Sequence, residues 1–90
     1  MRLEIRPSAE DTLARLPEPE QAAVLAALEL ISSAFGRPHV HSGLGLRQLR
    51  SGIYEARVGL SLRAVFSREG DTIKVQLIGN HDDVRRYLRR

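Results

Sequence analysis

The sequence contains no cysteine and no tryptophan, and aromatic residues account for only 4% of its 90 residues. Without cysteine the chain has no disulfide, thiolate metal site, iron–sulfur cluster or cysteine nucleophile, and a reducing cytoplasm is its natural compartment. Aromatic residues are too scarce to form the base-stacking platform that RNA-recognition domains use. No apolar run approaches the roughly 20 residues of a membrane span, and the first residues do not resemble a signal peptide. We therefore expect a cytoplasmic protein with no membrane partner.

The residues that are present are typical of a small globular protein. Hydrophobic residues make up 42% of the chain and charged residues 28%, a balance that is too apolar for a disordered segment. A chain of this length has room for one hydrophobic core. We predict a single domain over residues 1–90.

Positive charge is concentrated in the second part of the chain. Residues 1–36 carry three arginines against six carboxylates, whereas residues 37–90 carry eleven basic residues against five acidic ones. Of the 14 basic residues only Lys74 is a lysine. Guanidinium groups bind phosphate through paired hydrogen bonds and keep their charge, so this distribution favours a phosphate or nucleic-acid ligand.

The N-terminal residues predict a short strand and a first helix. Residues 3–5 alternate like a strand, which stops before Pro7. Ser8 and Asp11 have the spacing of a capping box, with Asp in place of the usual Glu. This spacing predicts a helix that runs to Leu16.

A second helix is predicted to follow at once. Pro19 suits its first turn, because the missing N–H would be unpaired there in any case. Gly36 supplies the signal for its end. Apolar residues recur at helical spacing on one side of it, at Val24, Leu28, Ile31 and Phe35.

In the second half of the chain the period changes from 3.6 to 2, as expected for half-buried strands. Apolar and polar residues alternate over 54–58, 62–66 and 73–77, and Gly59 and residues 69–71 mark the turns between them. We predict an α+β domain in which the helices cover one face of an antiparallel meander. The predicted core comprises Val24, Leu28, Ile31, Tyr54, Ala56, Leu62, Ala64, Phe66, Val75 and Leu77.

The other face of the meander is predicted to be polar and basic, because residues two apart on a strand share one side. It carries Glu55, Arg57, Arg63, Lys74 and Gln76. A short basic helix, residues 81–90, is predicted after the last strand, with Asn80 or Asp82 as its cap. His81 therefore leaves the end of that strand beside the basic face.

Three segments of the chain, in this order, resemble the RelE/ParE superfamily of toxins. Residues 49–59 and 62–66 resemble the family core L-x-G-x-Y-x-x-R-V-G…Y-R-x-x-F, and residues 77–84 resemble its last strand and the turn that follows. The Leu-Pro pair at 16–17 also fits. The resemblance implies a RelE-like fold, with an N-terminal strand and a helix hairpin packed on an antiparallel sheet and a short C-terminal helix. It also implies the toxin of a type II toxin–antitoxin system, with a cognate antitoxin protein as partner and no cofactor.

The resemblance leaves three functions open within this superfamily. RelE-like members cleave messenger RNA on the ribosome without a metal ion. ParE-like members share the fold but inhibit DNA gyrase and are not nucleases. A degenerate member would act only by binding its antitoxin or a nucleic acid. The reading that we favour is a metal-free, ribosome-dependent mRNA endoribonuclease that inhibits translation.

Arg63, Arg57 and His81 are the predicted catalytic residues. Metal-free RNA cleavage needs a group that deprotonates or orients the 2′-OH, cations that stabilise the phosphate, and an acid for the 5′-oxygen. Arg63 matches the family arginine that contacts the scissile phosphate, and Arg57 on the same face would complete a phosphate clamp. The alternative role for both is a solvated or partner-facing charge. His81 suits proton transfer at neutral pH, and its alternative role is a surface or helix-capping histidine.

Other residues are predicted to surround these three. Lys74 and Arg85 would extend the phosphate-binding surface. For Glu55, which stands between two arginines, a structural ion pair is favoured over a role as base. RelE-like nucleases commonly carry an aromatic residue where this chain has Arg85, and Tyr87, two positions on, points to another side of a helix. No metal site is predicted, because no carboxylate spacing accompanies the loop histidines at 39 and 41.

Overall fold

The computed structural model describes residues 1–34 and 45–89. It confirms the α+β class and the predicted order of elements, and adds one strand. The elements are β1 (Arg2–Ile5), α1 (Pro7–Arg15), α2 (Glu18–Ala34), β2 (Leu46–Arg50), β3 (Ile53–Val58), β4 (Leu62–Glu69), β5 (Thr72–Gly79) and α3 (His81–Leu88). The predicted apolar contact of Phe35, the helix stop at Gly36 and the loop histidines lie outside the described residues. None of the helices in the described ranges has the length and hydropathy of a membrane span.

The five strands form one mixed sheet in the order β1-β5-β4-β3-β2. β1 pairs in parallel with β5, and every other pair is antiparallel. The sequence analysis does not predict β2, because its apolar residues, Leu46 and Leu49, are three positions apart and do not alternate. The pairing of β2 with β3 is irregular between Gln48 and Arg50, which accounts for the broken period.

The start of α1 differs from the prediction. Its N-cap is Arg6, whose side chain makes no capping hydrogen bond, and Pro7 occupies the first helical position. The capping box predicted for Ser8 and Asp11 is therefore wrong, because Pro7 fits the first turn and moves the start of the helix forward. Ser8 instead lies inside the helix, where its carbonyl oxygen accepts a hydrogen bond of 3.1 Å from the Thr12 hydroxyl.

The hydrophobic core lies between the sheet and the α1–α2 hairpin, on what we call the inner face of the sheet. The helical stripe Val24, Leu28 and Ile31 is fully buried there against the strands. Tyr54 stacks on the fully buried Phe66 with ring centroids 5.7 Å apart. Nine of the ten predicted core residues belong to this cluster, either buried or packed against it.

The exception is Leu77, which the prediction placed in the core. The β4–β5 register shifts between Val65 and Phe66, so that Phe66 lies opposite Val75 while Val65 lies opposite Leu77. The extra residue, Gln76, reverses the alternation of the strand beyond it. Ile78 is consequently buried in the core, and Leu77 lies on the opposite face.

That opposite face, the outer face, carries α3. The fully buried Val65 alternates with the core residues Ala64 and Phe66 and lies outside the core cluster. α3 packs on β4 and β5 and buries Val84. The prediction that all helices cover one face is therefore wrong for α3, because the outer face has apolar residues of its own to bury.

Candidate functional site

A pocket of about 150 Å³ opens on the outer face where strands β2, β3 and β4 meet the first residue of α3. We call it the basic pocket. It is lined by Gly45, Arg47, Glu55, Arg57, Arg63 and His81. The structure thus brings together the three predicted catalytic residues and Glu55, and it adds Arg47.

Strand pairing places these side chains next to one another. Arg57 lies opposite Arg63 across β3 and β4, and Glu55 lies opposite Arg47 across β3 and β2. Glu55 and Arg57 are two residues apart on β3 and share the outer face. Arg63 also pairs with Gly79 at the end of β5, two residues before His81, so the start of α3 lies beside the arginines.

Glu55 is the buried centre of the pocket. Its side chain is only 7% exposed, and its Oε1 lies 3.5 Å from Nε of Arg47 and 3.6 Å from Nε of Arg63. The Arg63 side chain is 14% exposed, whereas that of Arg47 is 66% exposed. The ion pair favoured from the sequence is therefore present, and it extends to a second arginine.

Two buried polar atoms of this cluster have no hydrogen-bond partner among the described residues. They are Oε2 of Glu55 and Nη1 of Arg63. Buried polar groups are nearly always paired, because an unpaired one loses its interaction with water and gains nothing in return. A buried group without a partner needs an explanation, and a role in function is one that fits a pocket lined by charged side chains.

The pocket has excess positive charge. Arg57 is exposed, forms no ion pair within the described part of the chain, and lies directly opposite another arginine, Arg63. Like charges in direct cross-strand pairs are destabilising, so an anion between the two guanidinium groups would relieve the repulsion. With three arginines and one glutamate, the lining carries a formal charge of +2.

His81 is an exposed residue at the first position of α3, and it does not cap the helix. Asn80 is the cap: its Oδ1 accepts from the Asp83 N–H at 2.9 Å, and its own N–H donates to the Asp83 carboxylate at 2.9 Å. Gly79 makes room for this arrangement, since a Cβ there would lie 2.5 Å from Oδ2 of Asp83. The cap fixes the direction in which α3 leaves the sheet, and with it the place of His81 at the pocket.

The structure places Lys74 away from the basic pocket. Lys74 lies opposite Ser67 on β4, four residues from Arg63, which corresponds to about 13 Å along the strand. Its Nζ lies 3.5 Å from the Glu69 carboxylate. It lines a different depression, of about 440 Å³, together with Glu4 and Arg6.

Arg85 and Tyr87 are also outside the pocket lining. Arg85 is exposed on α3 one turn beyond His81, and its carbonyl oxygen accepts a hydrogen bond from Nε of Arg89 at 3.5 Å. Tyr87 is half-buried and lines a separate depression with Leu77, Asp83 and Arg86. No aromatic side chain lines the basic pocket in the described part of the chain.

Arg47 is the site residue that the sequence analysis missed. It lies on β2, the strand whose irregular spacing concealed it, and its partner across the strand pair is Glu55. The available signal was the pair of leucines at 46 and 49 around two polar residues, which identifies a strand only once a bulge is assumed.

Comparison with solved structures places this fold among bacterial and archaeal toxins. No family model matches the chain, and no curated protein matches it either. The archaeal RelE–RelB complex from Pyrococcus horikoshii OT3 superposes with a TM-score of 0.69 at 20% identity, over 88% of this chain and 92% of that one. A heterotetrameric YoeB–YefM toxin–antitoxin complex from Staphylococcus aureus gives 0.65 at 18% identity, over 90% and 97%. The YoeB/ParE toxin from Agrobacterium tumefaciens gives 0.64 at 24% identity, over 90% and 99%. The chain has the fold of RelE/ParE-like toxins, as the sequence resemblance predicts.

Proposed function

We propose that this chain is the toxin of a type II toxin–antitoxin system and that it cleaves messenger RNA on the ribosome without a metal ion. The observation that carries the proposal is the basic pocket itself, in which three arginines and His81 surround a buried glutamate. Such a pocket offers positive charge for a phosphate and a titratable group for proton transfer within one small volume. The fold shared with RelE and YoeB toxins supports the same assignment.

The chemistry that fits the pocket is transfer of a phosphodiester to the neighbouring 2′-oxygen. The 2′-hydroxyl gives its proton to solvent water and its oxygen forms a bond to phosphorus, while the bond to the 5′-oxygen breaks, which gives a 2′,3′-cyclic phosphate and a 5′-hydroxyl end. Arg63 and Arg57 stabilise the negative charge that grows on the phosphate oxygens. His81, exposed at the rim, is positioned to give a proton to the departing 5′-oxygen.

Lys74 and Arg85 are proposed to bind RNA without taking part in catalysis. Both lie outside the basic pocket, and Lys74 is already paired with Glu69. We assign to them contacts with phosphates that flank the scissile one. Such contacts add affinity through charge and have no part in the chemical step.

An antitoxin partner is proposed on two grounds. The similar RelE and YoeB structures are complexes with RelB and YefM. The pocket and the exposed arginines of α3 give the outer face a charge that an acidic segment would complement. Covering that face would also block the pocket.

One observation favours a second function, inhibition of DNA gyrase. The basic pocket contains no aromatic side chain in the described part of the chain, and Tyr87 lies in another depression. A nuclease that stacks a base on an aromatic ring would lack that contact here. In a gyrase inhibitor, Arg57 and Arg63 would dock on a protein surface.

Replacing Arg63 distinguishes the two functions. If the protein is a nuclease, Arg63→Ala should lower message cleavage about 10²–10³-fold, because it removes a charge that stabilises the transition state. Wild-type and variant proteins would be induced in cells, RNA 5′ ends mapped, and gyrase supercoiling assayed in parallel. Arg15→Ala is the matched control, because Arg15 is an exposed arginine on α1, away from the outer face.

Two outcomes would contradict the nuclease assignment. One is cleavage by Arg63→Ala at the rate of the Arg15→Ala control. The other is growth arrest with intact messages and inhibited supercoiling, which would identify a ParE-like inhibitor.

A further inference from the structure

We propose that Glu55 is a positioning residue, which orients Arg63 and Arg47 for phosphate and adjusts the charge of the basic pocket to that of the transition state. The inference rests on the proposed nuclease function and deepens it. It concerns a carboxylate that the chemical step above does not use.

A single oxygen of Glu55 contacts two arginines from the strands on either side. Oε1 lies 3.5 Å from Nε of Arg47 on β2 and 3.6 Å from Nε of Arg63 on β4. In both arginines the contacting nitrogen is Nε, so Glu55 leaves the Nη edge of the exposed Arg47 for another oxyanion, while Nη1 of Arg63 is itself buried. A guanidinium group held in this way is preorganised, and it loses less side-chain freedom when it binds a phosphate.

The arrangement is difficult to explain as a stabilising ion pair alone. Burial removes both charges from water, and apolar residues of similar size often stabilise a fold as well as or better than a buried ion pair does. Here the pairing is also incomplete, because Oε2 of Glu55 and Nη1 of Arg63 have no hydrogen-bond partner among the described residues. An incomplete buried pair costs stability, which fits a role in function.

The charge of Glu55 also matters. With Glu55 ionised, the three arginines and the glutamate of the lining carry a formal charge of +2. A phosphodiester carries one negative charge, and the five-coordinate transition state of its transfer carries about two. A pocket of charge +2 therefore matches the transition state, whereas one of charge +3 would also hold the ground state more tightly. Interactions that strengthen only in the transition state are those that accelerate a reaction.

Glu55 is too deeply placed to act as the base. Its side chain is 7% exposed, its Oε2 is completely buried, and its Oε1 already faces two guanidinium groups. A base must approach the 2′-OH within hydrogen-bond distance. We therefore assign to Glu55 the orientation of Arg63 and Arg47, and no part in proton transfer.

The decisive variant is Glu55→Gln, which keeps the shape and removes the charge. We expect single-turnover cleavage of message on programmed ribosomes to fall about 10–10²-fold, as for a small misplacement of a catalytic group. Binding of an RNA oligonucleotide with a 2′-O-methyl group at the scissile position should become tighter by a few-fold. The slope of log K against log salt should steepen by about 0.7, as for one additional phosphate contact to single-stranded RNA.

Two further variants complete the design. Glu55→Asp keeps the charge but withdraws the carboxylate, and should lower cleavage while leaving oligonucleotide binding unchanged. Glu29→Gln is the control, because it removes an exposed carboxylate on α2, on the other side of the sheet from the pocket. It should change neither cleavage nor binding.

Three results would overturn the inference. The first is Glu55→Gln cleaving as fast as the Glu29→Gln control. The second is a parallel loss of binding and cleavage together with a lower melting temperature, which indicates a structural role. The third is a loss above 10³-fold in which the acidic limb of the pH–rate profile disappears, which indicates a base.

A separate measurement keeps the inference testable if the wild-type protein does not cleave RNA. The Nε–H resonance of Arg63 should be resolved and protected from exchange in the wild-type NMR spectrum, and averaged in Glu55→Gln. If it is as mobile in the wild type as that of Arg15, Glu55 does not position Arg63. If the wild-type protein does not cleave RNA but Arg63 is ordered, the result contradicts the nuclease function and leaves the positioning of Arg63 by Glu55 intact.

Discussion

The structure removes one of the two roles that the sequence left open for His81. His81 could transfer a proton or cap the last helix, and the cap is Asn80. Replacing His81 therefore leaves the capping box in place. His81→Gln should slow cleavage about 10²–10⁴-fold, the usual contribution of a general acid, with no more than a small change in melting temperature.

Single-turnover rates and thermal unfolding of the same protein sample would check this. The comparison is Asn80→Ala, which should cost about 1 kcal/mol of stability as the loss of a cap. A His81→Gln protein that cleaves normally would remove His81 from the mechanism.

At the residue scale, the sequence predicts those parts of the site that depend on strict alternation. Glu55, Arg57 and Arg63 lie on regular segments of β3 and β4, so their shared face follows from the period of two. Arg47 could not be predicted, because β2 is irregular and its register depends on its partner strand. The ion pairs of Glu55 with two arginines likewise arise only when three strands are brought together.

At the scale of elements, the bulge in β5 decides which residues enter the core. Alternation from Ile73 and Val75 predicts that Leu77 is inside, yet the extra residue at Gln76 places Ile78 there. The sequence does not indicate this shift, because residues 77 and 78 are both apolar and either of them could be the buried one. The same limit applies to α3, because the burial of Val65 on the outer face looks, in the sequence, like any other buried strand position.

The bulge can be tested with a matched pair of truncations. Ile78→Ala should lower the free energy of unfolding by about 2–5 kcal/mol, because it leaves a cavity in the core. Leu77→Ala should cost clearly less, since Leu77 is only half-buried on the outer face. Urea unfolding of both variants measures the two values, and a larger loss for Leu77→Ala would mean that the strand has no bulge.

At the scale of the whole molecule, charge divides the protein into two parts. Residues 1–36, which include the α1–α2 hairpin, carry a net charge of −3, and residues 37–90, which include the basic pocket, carry +6. Attraction between a basic surface and an acidic partner speeds association and weakens as salt rises. The division therefore predicts where an antitoxin would bind and how its affinity responds to salt.

We expect the product of an adjacent gene of about 60–90 codons to neutralise toxicity and raise the yield on co-expression, through an acidic helix or strand that covers the outer face. Affinity measured by calorimetry should fall as salt is raised from 50 to 300 mM, because the complementary charges are screened. Arg57→Ala should weaken binding, whereas Arg15→Ala should not, since Arg15 lies on the hairpin.

The purified partner should also compete with the 2′-O-methyl RNA oligonucleotide, because both would occupy the basic pocket. A protein that expresses freely alone, leaves growth unchanged and binds no adjacent gene product would contradict the toxin assignment itself.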